Sequence, residues 1–285
     1  MPEFVDSRRL TIQDIIEKSL KKGKCNEQSA AANLASSLCI QLRGEADDMY
    51  RDIKPILTTI MTDRTSSSSA RISVANTLGN ICFLAAPAIT EVQAVMESFE
   101  QIFASNRTVD PNLLALSTAT LSSWTLLATV LPLSMAHDLL IKHAELFGKL
   151  LDAPDVDLRI AAGEAIAVLY EYLADTDEGG GSDGEVEEVE INDDLAKVEL
   201  ERVIGNLAPK LKQLSTDSQK FRSKKDRKEQ KSSFRDILRT IEEGDGYYEK
   251  VAINKREKLE IESWAMKKQY EMVCKVMCLH RLEHT

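Results

Sequence analysis

The groups with which this chain could do acid–base, nucleophilic or metal chemistry are four histidines, five cysteines and 46 carboxylates, and their spacing does not gather them. His137 and His143 miss the i, i+4 spacing that puts two imidazoles on one helical face, and His280 and His284 lie far from both. Cys274 and Cys278 do share a face, a pair that holds a metal only if two more ligands converge on it. Cys25, Cys39 and Cys82 fall in apolar stretches and read as buried free thiols. Neighbouring carboxylates such as Asp47 with Asp48, or Glu242 with Glu243, sit on hydrophilic faces or helix ends where nothing would shift their pKa values. The run Gly179-Gly180-Gly181 has no strand before it and no Lys-Ser/Thr after it, so it is no phosphate cradle. The chain is expected to be no enzyme: no residue is assigned as catalytic or metal-binding, and no cofactor or small-molecule substrate is expected.

What does cluster is charge. Lys220, Arg222, Lys224, Lys225, Arg227, Lys228 and Lys231 crowd one stretch, relieved only by Asp226 and Glu229, in a chain whose net charge is −10. Cations at that density gain by releasing counterions condensed on nucleic acid, without base specificity, and these seven are the candidate phosphate- or RNA-binding residues. They read equally as a solvated face held by pairs such as Lys225 with Glu229. The apolar stripe of the same helix begins only at Phe234, Ile237, Leu238 and Ile241, so its first half is expected to be cationic on every side and unsupported by packing. Opposite in sign, the stretch from Asp175 to Asp194 holds ten carboxylates and no base. It reads as a flexible acidic loop with too few apolar groups for a core. A histone, a basic tail or the chain's own cations are the partners it would take if it binds.

The elements that must position these charges are helices. Aromatic residues make up 5% of the chain and prolines number seven, while Ala, Leu, Ser, Glu and Lys are common. Residues 70–79 (ARISVANTLG) and 158–167 (LRIAAGEAIA) match, with Arg71 and Arg159 separated by 88 positions. Ala70, Val74, Leu78, Ile81 and Ala85 take one face of the first helix, and Leu158, Ala162, Ile166, Leu169 and Leu173 the same face of the second. Each follows another apolar-striped helix, so two helix pairs repeat. Half of the 88-residue separation falls within the roughly 40–47 residue period of HEAT and armadillo units, and one such step back from Leu78 reaches Leu34, where a third copy is expected. The turn from Asp152 to Arg159 resembles the HEAT inter-helix turn, and Asp63 with Arg71 repeats it. Asp63, Arg71, Asp152 and Arg159 are read as repeat-stabilising pairs.

The expected fold is all-α, an armadillo/HEAT-like right-handed superhelix of stacked helix pairs, with a short β-hairpin near the C-terminus. Residues 5–175 form the first part of the array, 176–192 the acidic loop, and 193–281 a second helical part with the basic helix, at 219–242, and the hairpin. Pro87, Pro111, Pro132 and Pro154 sit at or just before helix starts, and Pro55 is expected to kink its helix. Alternation at Val251 and Ile253, then at Leu259 and Ile261, gives the hairpin. The stripe Trp264, Met266, Tyr270, Val273 and Met277 of the last helix reads as core, or else as a groove for a partner. No apolar run is long enough to span a bilayer and no signal region opens the chain, so no membrane contact is expected and cytoplasm and nucleus are the expected compartments. Met1–Phe4 and Leu282–Thr285 read like cloning remnants, with a natural chain that extends further at both ends.

Three ordered motifs carry a family likeness: residues 158–164 (LRIAAGE), 226–235 (DRKEQKSSFR) and 262–265 (ESWA). With Arg9-Leu10-Thr11 and Lys21-Lys22-Gly23-Lys24 before them, they resemble the interferon-related developmental regulator family over nearly the whole chain. The resemblance implies an armadillo/HEAT-like array without an active site. It also implies one of two roles: a ribosome-binding repressor of translation in differentiating or resting cells, or a nuclear transcriptional co-regulator that recruits deacetylase-containing corepressors. The partners so implied are the ribosome or structured RNA at the basic helix, and corepressor subunits on the repeat surface. For the ribosomal role the resemblance implies a helix beyond the repeats, past the end of this sequence.

Overall fold

A computed structural model of the chain describes residues 2–42, 44–105, 110–174, 193–216, 223–253 and 256–277. Among these are eleven helices, packed largely in adjacent pairs, and one two-stranded antiparallel hairpin. The all-α class and the late hairpin agree with the sequence pattern. None of the described helices is long and apolar enough to cross a membrane. Two compact units divide the chain, one made of residues up to Val130 with those from Lys268 onward, the other of Leu131–Lys267. These limits follow packing and differ from the division by charge at 176–192, which lies outside the described residues.

In the first unit α1 (Pro2–Lys22), α3 (Asp47–Thr62) and α5 (Ile89–Phe103) each pack on the helix that follows: α2 (Cys25–Leu42), α4 (Ser68–Ala85) and α6 (Pro111–Ala128). The starts are written in the sequence. Ser67 accepts from the Ala70 amide at the head of α4, and Asp110 accepts from Asn112 ahead of Pro111 at the head of α6. α3 runs unbroken through Pro55, with the Thr58 and Thr59 hydroxyls bonded back to the Lys54 and Pro55 carbonyls. α2, α4 and α6 lie side by side as an inner layer, which is why α4 and α6 bury small and apolar residues nearly all round. The repeat period shows itself directly here: Asn80 donates to Ser36, 44 positions earlier. Gly79 lies so near Ser123 that an added Cβ would stand 2.6 Å from the Ser123 Cβ. The third copy is α2, but Leu34, which the period picks out, is 44% exposed, and Ala31, Ala35, Leu38 and Cys39 fill the core in its place. α1 starts at Pro2, and no breaker stands between Glu3 and Leu10.

In the second unit α7 (Leu133–Leu150) and α8 (Val156–Ala174) form the pair equivalent to α3 and α4. α9 (Asp193–Thr216) packs on α7 and on α10 (Lys224–Glu243), and α10 also lies on α8. Gly244, in the left-handed region at φ 73°, ends α10 and turns the chain towards the hairpin. Strands β1 (Glu249–Ala252) and β2 (Lys258–Ile261) pair with Val251 opposite Leu259. Val251 and Ile261 are buried, whereas Ile253, expected on the same face, lies beyond the strand and is exposed. α11 (Trp264–Val276) opens under a Ser263 cap, whose hydroxyl accepts from the Met266 amide. The stripe read along this helix is only partly core: Trp264 is fully buried, but Met266, Val273 and Met277 are exposed and Met272 and Cys274 turn inward in their place. Cys39 and Cys82 are buried thiols, pushed up to about 12 and about 11 respectively, mainly by desolvation. Cys25 is half-buried, and Cys278, His280 and His284 lie outside the described residues.

Candidate functional site

The basic helix α10 is fixed by contacts that join the three sequence motifs to one another. Arg159 of α8, nearly fully buried, donates through Nη1 to the Ala153 carbonyl at 2.7 Å and through Nη2 to Gln230 Oε1 on α10. Gln230 in turn donates to the Leu214 carbonyl of α9 at 3.1 Å, so one buried amide ties three helices. One turn along α8, Gly163 lets α10 approach: a Cβ there would lie 2.7 Å from Ile237 Cδ1 and 2.8 Å from Phe234 Cε1. Glu164 pairs with Lys267 of α11 at 2.5 Å, both side chains 8% exposed. The Lys267 ammonium also lies 4.5 Å from the Trp264 ring centroid and 5.0 Å from that of Tyr247. Two turns further, buried Glu171 accepts the Tyr247 amide at 3.1 Å on one oxygen and the Trp264 amide at 2.6 Å on the other. A carboxylate is thereby placed at the start of α11, where the free amides and the helix dipole favour negative charge. Trp264 closes the network by donating its indole N–H to Thr240 of α10 at 2.8 Å.

This seating corrects one expectation. The first half of α10 is not cationic on every side, because packing begins at buried Gln230 and Arg227 and Lys231 are half-buried beside it. Lys224, Lys225 and Lys228 are the exposed cations. Lys224, Lys228 and Lys231 follow i, i+4, i+7 spacing and so share a face about 10 Å long. Lys220 and Arg222 lie outside the described residues. Among the described residues the five candidate cations on α10, Lys224, Lys225, Arg227, Lys228 and Lys231, make no ion pair within 4.0 Å, so Lys225 does not pair with Glu229, whereas Arg239 near the end of the helix pairs with Asp245 at 3.7 Å. The helix starts at Lys224 under a Ser223 cap, which accepts from the Asp226 amide at 3.0 Å. Lysines at a helix N-terminus add to the positive end of the dipole, so α10 presents unpaired ammonium groups where the backbone already attracts anions. Beside them Asp157, at the start of α8, has its carboxyl raised above the usual range by burial and then by Asp155 and Asp226, with Lys225 pulling the other way.

The four residues read as repeat-stabilising occupy equivalent turns but do not form Asp–Arg ion pairs. Arg71 is buried and donates through Nε to the Met61 carbonyl at 2.8 Å, and Arg159 donates through Nη1 to that of Ala153, so each arginine ties down a carbonyl at the end of the preceding helix or in the turn after it. Asp63 accepts from the Thr65 amide and from the Thr65 and Ser66 hydroxyls, which hold its carboxyl below the usual range. Asp152 pairs with Lys210 of α9, whose ammonium also caps the Gly148 carbonyl at 2.8 Å. Asp155, which the spacing did not pick out, caps α8 through the Leu158 amide at 2.9 Å. The residues missed altogether were Glu171 and Lys267, because a buried carboxylate or ammonium in a sequence looks the same as one on a solvated face.

Comparison with known proteins gives these motifs a context. A family model described as Interferon-related developmental regulator matches residues 1–242. Interferon-related developmental regulator 1 of Sus scrofa is 38% identical over 94% of this chain and 58% of its own length. The protein of that name from Homo sapiens is 36% identical over 96% of this chain and 59% of its own length. Interferon-related developmental regulator 2 of Mus musculus is 34% identical over 95% and 59%. The chain thus spans under two thirds of the length of these relatives. A crystal structure of an engineered protein superposes with a TM-score of 0.40 at 15% identity, covering 82% of this chain and 97% of that one, too distant to bear on the fold.

Proposed function

Because this chain belongs to the interferon-related developmental regulator family, we propose that it is a non-enzymatic regulator of gene expression that binds structured RNA, ribosomal RNA in particular, through α10 and represses translation. The observation that carries the reading is the set of exposed, unpaired lysines at the positive end of a rigidly seated helix in an otherwise acidic chain. A globally negative protein is repelled by RNA, so binding must be local and oriented. The interlock of Arg159, Gln230, Phe234 and Trp264 supports such orientation by holding α10 against α8. With three to five phosphates neutralised, affinity for a duplex RNA falls about 40- to 500-fold between 50 and 200 mM salt. The test is cosedimentation with ribosomes, with binding to a fluorescent RNA hairpin as a second measure. Replacing Lys224, Lys225 and Lys228 together by Glu leaves the buried side of the helix intact. It is expected to abolish both signals, and cosedimentation with unchanged salt dependence would show that the site lies elsewhere.

A further inference from the structure

A second surface, in the first unit, has chemistry unlike that of α10. Across the inner helices α2, α4 and α6 runs a groove of about 500 Å³, walled on one side by the Lys268–Val276 stretch of α11. That volume is in the range of sites that hold a ligand. Its floor is set with side-chain amides and hydroxyls: Asn33 on α2, Asn76 and Asn80 one turn apart on α4, and Ser122 on α6. Asn76 donates its amide to the Ile72 carbonyl and Asn80 donates to Ser36, so each keeps its side-chain oxygen without a donor among the described residues. The Asn33 side chain makes no hydrogen bond among them. Leu34 and Leu126 supply apolar contact between these polar positions, and Lys275, exposed and without an ion pair among the described residues, stands on the α11 wall.

We infer that this groove binds an extended peptide segment of a partner protein carrying an acidic side chain. Carboxamides offer an acceptor and donors in the spacing of a peptide group, so three of them on α2 and α4, continued by the Ser122 hydroxyl on α6, complement a backbone and not a particular side chain. Apolar contacts between the polar ones suit the alternating side chains of an extended strand. Inner helices set about 8–10 Å apart place the floor across about 16–20 Å, the length of about five or six extended residues. Among the described residues no aromatic side chain lines the floor on which a base could stack. On the same wall Lys268 and Glu271 pair at 3.5 Å and offset one another, so exposed Lys275 supplies the charge preference.

The experiment is selection of random dodecapeptides displayed on phage against the full chain, followed by anisotropy measurements on the enriched peptides. Enriched peptides are expected to carry Asp or Glu, to lose at least tenfold in affinity on Asn76→Leu with Asn80→Leu, and to exchange the acidic preference for a basic one on Lys275→Glu. The last substitution is on an exposed side chain, so it tests the groove even if the asparagine variants fold poorly, which circular dichroism reports. The Glu substitutions on α10 must leave peptide binding unchanged, which separates this inference from the RNA reading. Enriched peptides indifferent to all three groove substitutions, no enrichment at all, or displacement of the peptides by a single-stranded RNA dodecamer would each overturn it.

Discussion

Breaking the Glu164–Lys267 pair should cost the second unit far more than any surface ion pair, and unequally from its two sides. Both side chains are almost fully buried, so Glu164→Gln leaves an ammonium between the Trp264 and Tyr247 rings with its principal carboxylate gone. Removing one partner of such a pair costs about 3–5 kcal/mol, because the survivor keeps its desolvation penalty. Asp236 also feels the Lys267 charge, which lowers its carboxyl against the rise that burial imposes. Lys267→Met therefore strands Glu164 and also takes from Asp236 one of its two cationic neighbours, Arg239 being the other, where Glu164→Gln strands one cation, and it should be the more damaging single change. The double variant puts neutral groups of similar size in place of the pair, with Asp236 still facing Arg239, and should return to within about 1–2 kcal/mol of the parent protein. Urea unfolding in a Trp124→Phe background makes Trp264, which lies in the cluster, the fluorescent reporter. At a slope of about 2 kcal/mol/M, the single variants lower its midpoint by about 1.5–2.5 M and the double by under 1 M. Single effects below about 1 kcal/mol, or a double variant equal to their sum, would refute the argument that this charge pair is coupled and dry.

Gly79→Ala should destabilise the first unit by about 2–3 kcal/mol, because the new methyl meets the Cβ of Ser123, which cannot swing away. Gly163→Ala should cost less, about 1 kcal/mol, since it meets the movable ends of Ile237 and Phe234 and gains helix propensity; thermal unfolding of the two variants ranks them. Ser223→Ala removes the cap of α10 and should cost about 1 kcal/mol, with faster hydrogen exchange confined to the first turn. Asp157 has a folded pKa above its unfolded value, so it favours folding once protonated and opposes it as pH rises through that window. Asp157→Asn should thus stabilise at neutral pH by no more than about 0.5 kcal/mol and flatten the fall in stability above the ordinary carboxylate range, measured by urea titration at stepped pH.

Helix identity and order were legible because they depend on local signals: the apolar face from Ala70 to Ala85, the Asp110-Pro111 start, the Gly244 stop. The repeat was legible because the two arginine-bearing segments look alike, and the structure gives both arginines the same work on the carbonyls before them. What each aspartate does was not legible. Asp63 and Asp152 stand at similar points in the two turns, yet one folds onto its own loop and the other reaches Lys210, a partner 58 positions away that no local pattern announces. The seating of α10 is hidden in the sequence for a related reason. Gln230 looks polar in a polar stretch, and only Arg159, 71 positions earlier, makes it a buried residue.

The motifs that carry the family likeness and the cations that carry the proposed function are largely different residues with different constraints. Arg159, Gly163, Glu164, Gln230, Phe234 and Trp264 take part in one network, directly or through Glu171 and Lys267, so each has a required atom type and a required distance. Lys224, Lys225 and Lys228 require only exposure and charge, since phosphate recognition by ammonium groups tolerates shifts of a residue along the same face. It follows that exchanging these lysines for arginines should preserve RNA binding, whereas Arg159→Lys should not preserve the network. A lysine in place of Arg159 cannot hold the Ala153 carbonyl and Gln230 at once with planar donors, and losing the Arg159–Gln230 bond removes the hydrogen-bonded part of the seat of α10 on α8, at the end of the helix that carries the lysines. The decisive comparison is binding of the Arg159→Lys protein to RNA. It should weaken with every charge on the exposed face still present, because an unseated helix loses the orientation that makes a local positive surface effective on a negative protein.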